Sequence, residues 1–129
     1  MKFNTLIPEL TVSSLEQSRH FYVDQLGFEA VYERKEDAFL FVALEDIQLM
    51  LQEDNEEWTT GSLTYPYGRG INFEMKVADV DRLYARVTKA GIMPFRPLTE
   101  NEYRIKDEFV KQREFLIQDP DGYLLRFTD

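Results

Sequence analysis

The same sequence of elements is spelled out twice along this chain, and that repetition constrains its fold more than any single motif. In the first half, Leu6, Leu10 and Val12 alternate as one face of a short strand over residues 6–12. Ser13 or Ser14 then caps a helix, with Glu16 or Gln17 where a capping box places its carboxylate or amide. The helix carries Leu15, Phe21, Tyr22 and Leu26 and stops at Gly27. Strands are expected over residues 28–34, 39–44 and 47–52, the last two joined by the short link Glu45-Asp46. The second half repeats this order. Ile71, Phe73, Met75 and Val77 alternate with Asn72, Glu74 and Lys76 as a half-buried strand. Asp79 caps a helix with the stripe Val80, Leu83, Tyr84 and Val87, which stops at Gly91. Strands are expected at 92–96, 109–118 and 123–128, with the polar stretch 97–107 read as a long loop.

The expected fold class is therefore α+β, with two βαβββ modules forming curved mixed sheets around a cup and helices on the outer face. Residues 1–129 make a single domain, with module 1 over about 4–53, a linker at 54–69 and module 2 over about 70–129. The apolar faces (Leu49 and Leu51; Ile71, Phe73 and Met75; Tyr123, Leu125 and Phe127) belong under the helices. The opposite faces point Ile7, Glu9, Thr11, Gln48, Met50, Gln52, Asn72, Glu74, Lys76, Leu124 and Arg126 into the cup.

Composition narrows the chemistry. The chain has no cysteine, which removes disulfides and thiolate metal sites. A formal charge of -9 repels phosphate backbones, so nucleic acid is excluded as a partner, while cationic small molecules are drawn inward. No apolar run is long enough to span a bilayer and the start lacks a signal-peptide pattern, so the expectation is a cytoplasmic protein with no membrane partner. No Gly-rich phosphate loop and no Ser/His/Asp set can be assembled. The one histidine, His20, falls on the first helix.

Among candidate binding residues, Arg126 either anchors a ligand carboxylate or phosphate, or forms an internal ion pair with Glu9 or Glu74. Trp58, Tyr65 and Tyr67 lie in the linker, where they either stack a planar or cationic ligand or pack at an edge or dimer contact, and Tyr103 is a similar case. The acidic run from Glu53 to Glu57 either steers a cation or is a solvated loop.

The chain ends in Asp119-Pro120-Asp121-Gly122, a turn in which proline presets φ and glycine takes a positive φ, followed by the alternating strand Tyr123 to Phe127. This ending, the opening run Val12-Ser13-Ser14-Leu15 with Phe21-Tyr22 and Leu26-Gly27-Phe28, and the second start Gly70-Ile71-Asn72, Val77-Ala78-Asp79-Val80 and Ala90-Gly91-Ile92 together resemble the glyoxalase / bleomycin resistance / extradiol dioxygenase superfamily, or vicinal oxygen chelate proteins. In metal enzymes of that family four cup residues, usually His or Glu, hold the metal. The resemblance places Ile7, Gln52, Asn72 and Arg126 at those positions, with no imidazole or carboxylate among them. It therefore implies a metal-free, cofactor-free protein of the bleomycin resistance type that binds and sequesters a small, cationic molecule as a homodimer, with a role in antibiotic resistance and no catalysis. Glu9, Gln52, Asn72, Glu74 and Arg126 would be its polar contacts and Trp58 its stacking wall. The alternative is a metal-dependent lyase/isomerase or ring-cleaving dioxygenase.

Overall fold

The computed structural model describes residues 1–129 and divides into two compact units, Met1–Tyr67 and Gly68–Asp129. Each unit is a four-stranded mixed sheet with one helix, and the two follow the same plan. In the first, β1 (Glu9–Val12), β2 (Glu29–Arg34), β3 (Phe39–Leu44) and β4 (Ile47–Glu53) are ordered β1-β4-β3-β2. In the second, β5 (Asn72–Lys76), β6 (Arg96–Ile105), β7 (Glu108–Gln118) and β8 (Leu124–Thr128) are ordered β5-β8-β7-β6. The first and last strands of each unit pair in parallel and the other neighbours run antiparallel. The βαβββ repeat is thus present in both halves.

In the first unit, α1 (Leu15–Arg19) begins at Ser14, whose hydroxyl accepts from the Gln17 amide, and continues as a π-helical turn over His20–Gln25. Gly27, at φ 90°, turns the chain out of it. The Glu53 carboxylate accepts from the Leu15 amide at 3.0 Å, so the end of β4 supports the start of α1. The helix packs on β3 and β4. It buries Tyr22, Phe21 and Leu26 over the strand face that carries Leu10, Val12, Leu40, Val42, Leu49 and Leu51. Tyr22 meets Phe21 and Phe28 edge-on.

In the second unit, Asp79 caps α2 (Val80–Lys89) through the Arg82 amide, and Val80, Leu83 and Val87 are buried. They lie over a face built from Met75, Phe115, Ile117, Leu125 and Phe127, with Tyr84 against Phe115 and Phe115 stacked on Phe127. The Asp-Pro-Asp-Gly turn forms as its residues require. The Asp119 carboxylate accepts from the Asp121 and Tyr123 amides, and Gly122 sits at φ 96°. Gly68, at φ 71°, lies so close to Tyr123 that a Cβ there would come within 2.6 Å of the ring.

Three expectations are corrected. Leu6 is 81% exposed and lies outside β1, which starts at Glu9, so Leu10 and Val12 alone face the core. Residues 92–95 are not strand. The stretch read as a loop at 97–107 belongs instead to β6 and its turn into β7. The hairpin β6–β7 runs beyond β8, which pairs only with Glu114 to Gln118 of β7. On that extension most side chains of both strands are exposed, so no apolar alternation marks it in the sequence. No helix is long and apolar enough to cross a membrane.

Candidate functional site

On the second unit, the sheet face opposite α2 carries a connected set of polar side chains. Pairing places Glu74 beside Arg126 and Lys76 beside Thr128 between β5 and β8, while Glu114 of β7 lies beside Thr128. Arg126 Nη2 is 3.2 Å from Glu74 Oε2, and its Nε is 3.7 Å from Glu114 Oε2. Glu74 Oε1 accepts from Gln112 Nε2 at 2.5 Å. Glu114 Oε1 accepts from Asn101 Nδ2 at 3.0 Å and from the Tyr103 hydroxyl. Two carboxylates and one guanidinium leave this group one negative charge in excess.

Burial differs sharply within the set. Glu114 is 4% exposed, whereas the Glu74 side chain is 48% exposed. Glu114 Oε2 and Arg126 Nε are both buried and neither makes a hydrogen bond, so their contact is Coulombic only. The Gln112 hydrogen bond, with Arg126 adding to it, holds the Glu74 carboxyl below its ordinary range against the opposing effect of burial. The bond to Glu114 pushes the Tyr103 phenol above its ordinary range. Beside the network, a cavity of about 380 Å³ is lined by Glu74, Gln112, Val110 and Thr128, with Lys76, Lys111 and Asp129 also on its wall.

The corresponding face of the first unit is aromatic. Tyr32 stacks on Phe41 and tilts against Phe39, Phe3 closes edge-on over Tyr32 and Phe41, and the Arg34 guanidinium lies 3.9 Å from the centre of the Phe39 ring. Both glutamines of β4 are committed to backbone. Gln48 takes the Asn4 amide and donates to the Lys2 carbonyl, while Gln52, 5% exposed, donates to the carbonyls of Asp37 and Glu53.

Of the residues singled out in the sequence, Glu74 and Arg126 form an ion pair, and Asn72 shares their strand face one alternation away. Glu9 is exposed at the start of β1 beside Met50. Trp58 is 65% exposed in the segment after β4. His20 is exposed and pairs with Asp24. Glu114, Gln112 and Asn101 are the residues that sequence reasoning missed. The alternation Gln112, Glu114, Leu116, Gln118 along β7 was the available signal, because it puts a carboxylate on the same face as Arg126.

A divalent metal does not suit these positions. The helix caps Ser14 and Asp79 stand two residues beyond Val12 and Val77, which aligns the two units. Glu9 then faces Met50 as Glu74 faces Arg126, so the first unit has a thioether at the station that holds a guanidinium in the second. Only two carboxylates stand beside Arg126, fewer ligands than a divalent ion requires, and its double charge would exceed the single negative charge in excess there. No group of three or more His, Cys, Asp or Glu side chains converges in the structure.

Comparison with known proteins places these features in context. The family model described as the Glyoxalase/Bleomycin resistance protein/Dioxygenase superfamily matches residues 4–127. Bleomycin resistance proteins of Geobacillus stearothermophilus and Staphylococcus aureus are each 30% identical to this chain, in alignments covering 94% of it and 92% of theirs. Among solved structures, TioX from Micromonospora sp. ML1 superposes with a TM-score of 0.75 at 20% identity over 98% of both chains, a likeness of fold.

Proposed function

The chain belongs to the glyoxalase/bleomycin resistance protein/dioxygenase superfamily, and from that premise we propose that it is a small-molecule binding protein of the bleomycin resistance type that sequesters its ligand without a metal and without chemistry. The observation that carries this reading is Arg126 between Glu74 and Glu114. A permanent cation occupies a station where a metal enzyme of the family would place a ligand, and it uses the nearby carboxylates as its own counter-charges. The excess negative charge of the network and the formal charge of -9 on the whole chain favour a cationic guest and hasten its arrival.

In this reading Glu74, Arg126 and Asn72 supply polar contacts from the second unit. On the first unit Glu9 and Trp58 are exposed, whereas Gln52 is buried with its amide given to backbone carbonyls and is not a ligand contact. The chain works as a cytoplasmic homodimer, takes no cofactor, and confers resistance by lowering the free concentration of a bleomycin-like antibiotic.

Calorimetric titration with metal-free bleomycin in excess EDTA tests this directly. Saturable binding with a matching rise in melting temperature is expected, unchanged by the chelator. Heat appearing only after zinc, nickel, manganese or iron is supplied, or no binding under either condition, would overturn the proposal.

A further inference from the structure

Glu114 is almost fully buried, yet half of its acceptor capacity is unused. A carboxylate offers about four lone-pair sites. Here Oε1 takes both neutral donors, Asn101 and Tyr103, while Oε2 is buried with no hydrogen bond. Buried polar atoms are seldom left in this state unless something else completes them. The remaining neighbour, Arg126 Nε, stands at 3.7 Å and is equally orphaned.

The donor over Glu114 comes from an exposed element. Tyr103 is 38% exposed and sits on the part of the β6–β7 hairpin that extends past β8. Its cross-strand partner is Val110, which lines the cavity of about 380 Å³ together with Gln112 and Glu74. Rotation of Tyr103 away from Glu114 would return its hydroxyl to water at little cost and leave the carboxylate facing the side of the hairpin on which that cavity lies.

We propose that Glu114 is a ligand-binding carboxylate masked by Tyr103, and that an ammonium or amidinium group of the guest displaces the phenol and pairs with Glu114. The sign of the guest follows from the orphaned oxygen. On the cavity wall Lys76 and Lys111 offset Glu74 and Asp129, so the selection comes from Glu114 itself, whose unpaired oxygen repels a carboxylate guest and takes an N–H donor. The exchange replaces a neutral donor with a charged one, and charge-assisted bonds are roughly twice as strong as neutral ones. This inference rests on the reading of the chain as a binder of cationic molecules, and it adds the residue that recognises the positive group and the residue that competes with it.

The test compares wild type, Y103F and E114Q by calorimetry with two probes, metal-free bleomycin and benzamidinium. Y103F removes the competitor and should bind both probes about three- to ten-fold more tightly, the size of one neutral hydrogen bond. E114Q keeps an oxygen for Tyr103 and Asn101 but loses the charge, and should bind about ten- to a hundred-fold more weakly. In carbon-labelled protein, the tyrosine ring signal that is missing in Y103F should shift when wild type is saturated. Melting curves confirm that each variant is folded, and Y103F alone decides the matter if E114Q is not. Benzamidinium binding with this pattern while bleomycin fails supports the mask and removes bleomycin as the guest. Bleomycin binding with Y103F unchanged or weakened overturns the mask and leaves the sequestration reading intact. Failure of wild type to bind either probe overturns both.

Discussion

In the first unit Phe39 lies beside Gln52 across the β3–β4 pairing; at the same station of the repeat in the second, Glu114 lies beside Thr128 across β7–β8. Both are almost fully buried, and both lie against an arginine. Arg34 rests on the Phe39 ring as a cation over an aromatic face, whereas Arg126 approaches Glu114 as one charge approaches another. One backbone plan thus carries an aromatic floor in one copy and an ionic network in the other. The duplicated sheet determines where side chains stand, and the identity of a few residues determines whether that place is apolar filler or a recognition group.

The comparison can be broken at its apolar end first. Phe39→Ala should destabilise the protein by about 4 kcal/mol, from lost transfer energy and the cavity left under Tyr32 and Arg34, as read from urea unfolding. A cost below about 1 kcal/mol would mean that the aromatic floor is loosely held. At the charged end, Arg126→Met installs the residue that the first unit has at this station, Met50. It strands Glu114 beside neutral donors only, and a loss of about 3 kcal/mol is expected, at the lower end for a broken buried pair because Arg126 keeps some solvent. An unchanged midpoint would show that the second unit tolerates the apolar solution of the first.

A smaller effect sharpens the role of the β4 amides. Gln52→Ala should cost about 2 kcal/mol, because the Asp37 and Glu53 carbonyls lose a buried donor. The smallest expected effect is in pH dependence. Glu74 titrates below its ordinary value near 4.5, so the folded state binds that proton less readily than the unfolded chain. Its stabilising contribution is complete above that value and disappears as pH falls through the lowered one. Glu74→Gln should therefore flatten the acid limb of melting temperature against pH and leave the neutral region little changed. An acid limb of unaltered steepness would assign the dependence to other carboxylates. The half-exposed position of Glu74 keeps the effect small.

Much of the frame was legible from local pattern. The alternation in β5, the caps at Ser14 and Asp79, the helix stop at Gly27 and the Asp-Pro-Asp-Gly turn each rest on residues within a few positions of one another, and each appears in the structure. The pair Glu74–Arg126 was also within reach, because both residues fall on the polar side of clearly alternating strands. The β6 strand was hidden because the hairpin extension is polar and charged on both sides, so neither face announces itself. Gln52 illustrates a different limit. Its place on β4 was clear, but its commitment to the carbonyl of Asp37 depends on the turn after β2, which local pattern does not describe.

The sequence alone established the duplicated βαβββ plan and most of the faces that belong under the helices, Ile71, 55% exposed ahead of β5, being an exception, and it set Arg126 on the polar face of the closing strand. Periodicity, capping and turn chemistry act over short separations, and side-chain identity is read directly. Only the tertiary structure brought Asn101, Tyr103, Glu114 and Arg126 into one group and buried Glu114 at its centre. That grouping depends on the register between three strands, and register is set by cooperative packing of the whole sheet rather than by any segment of it.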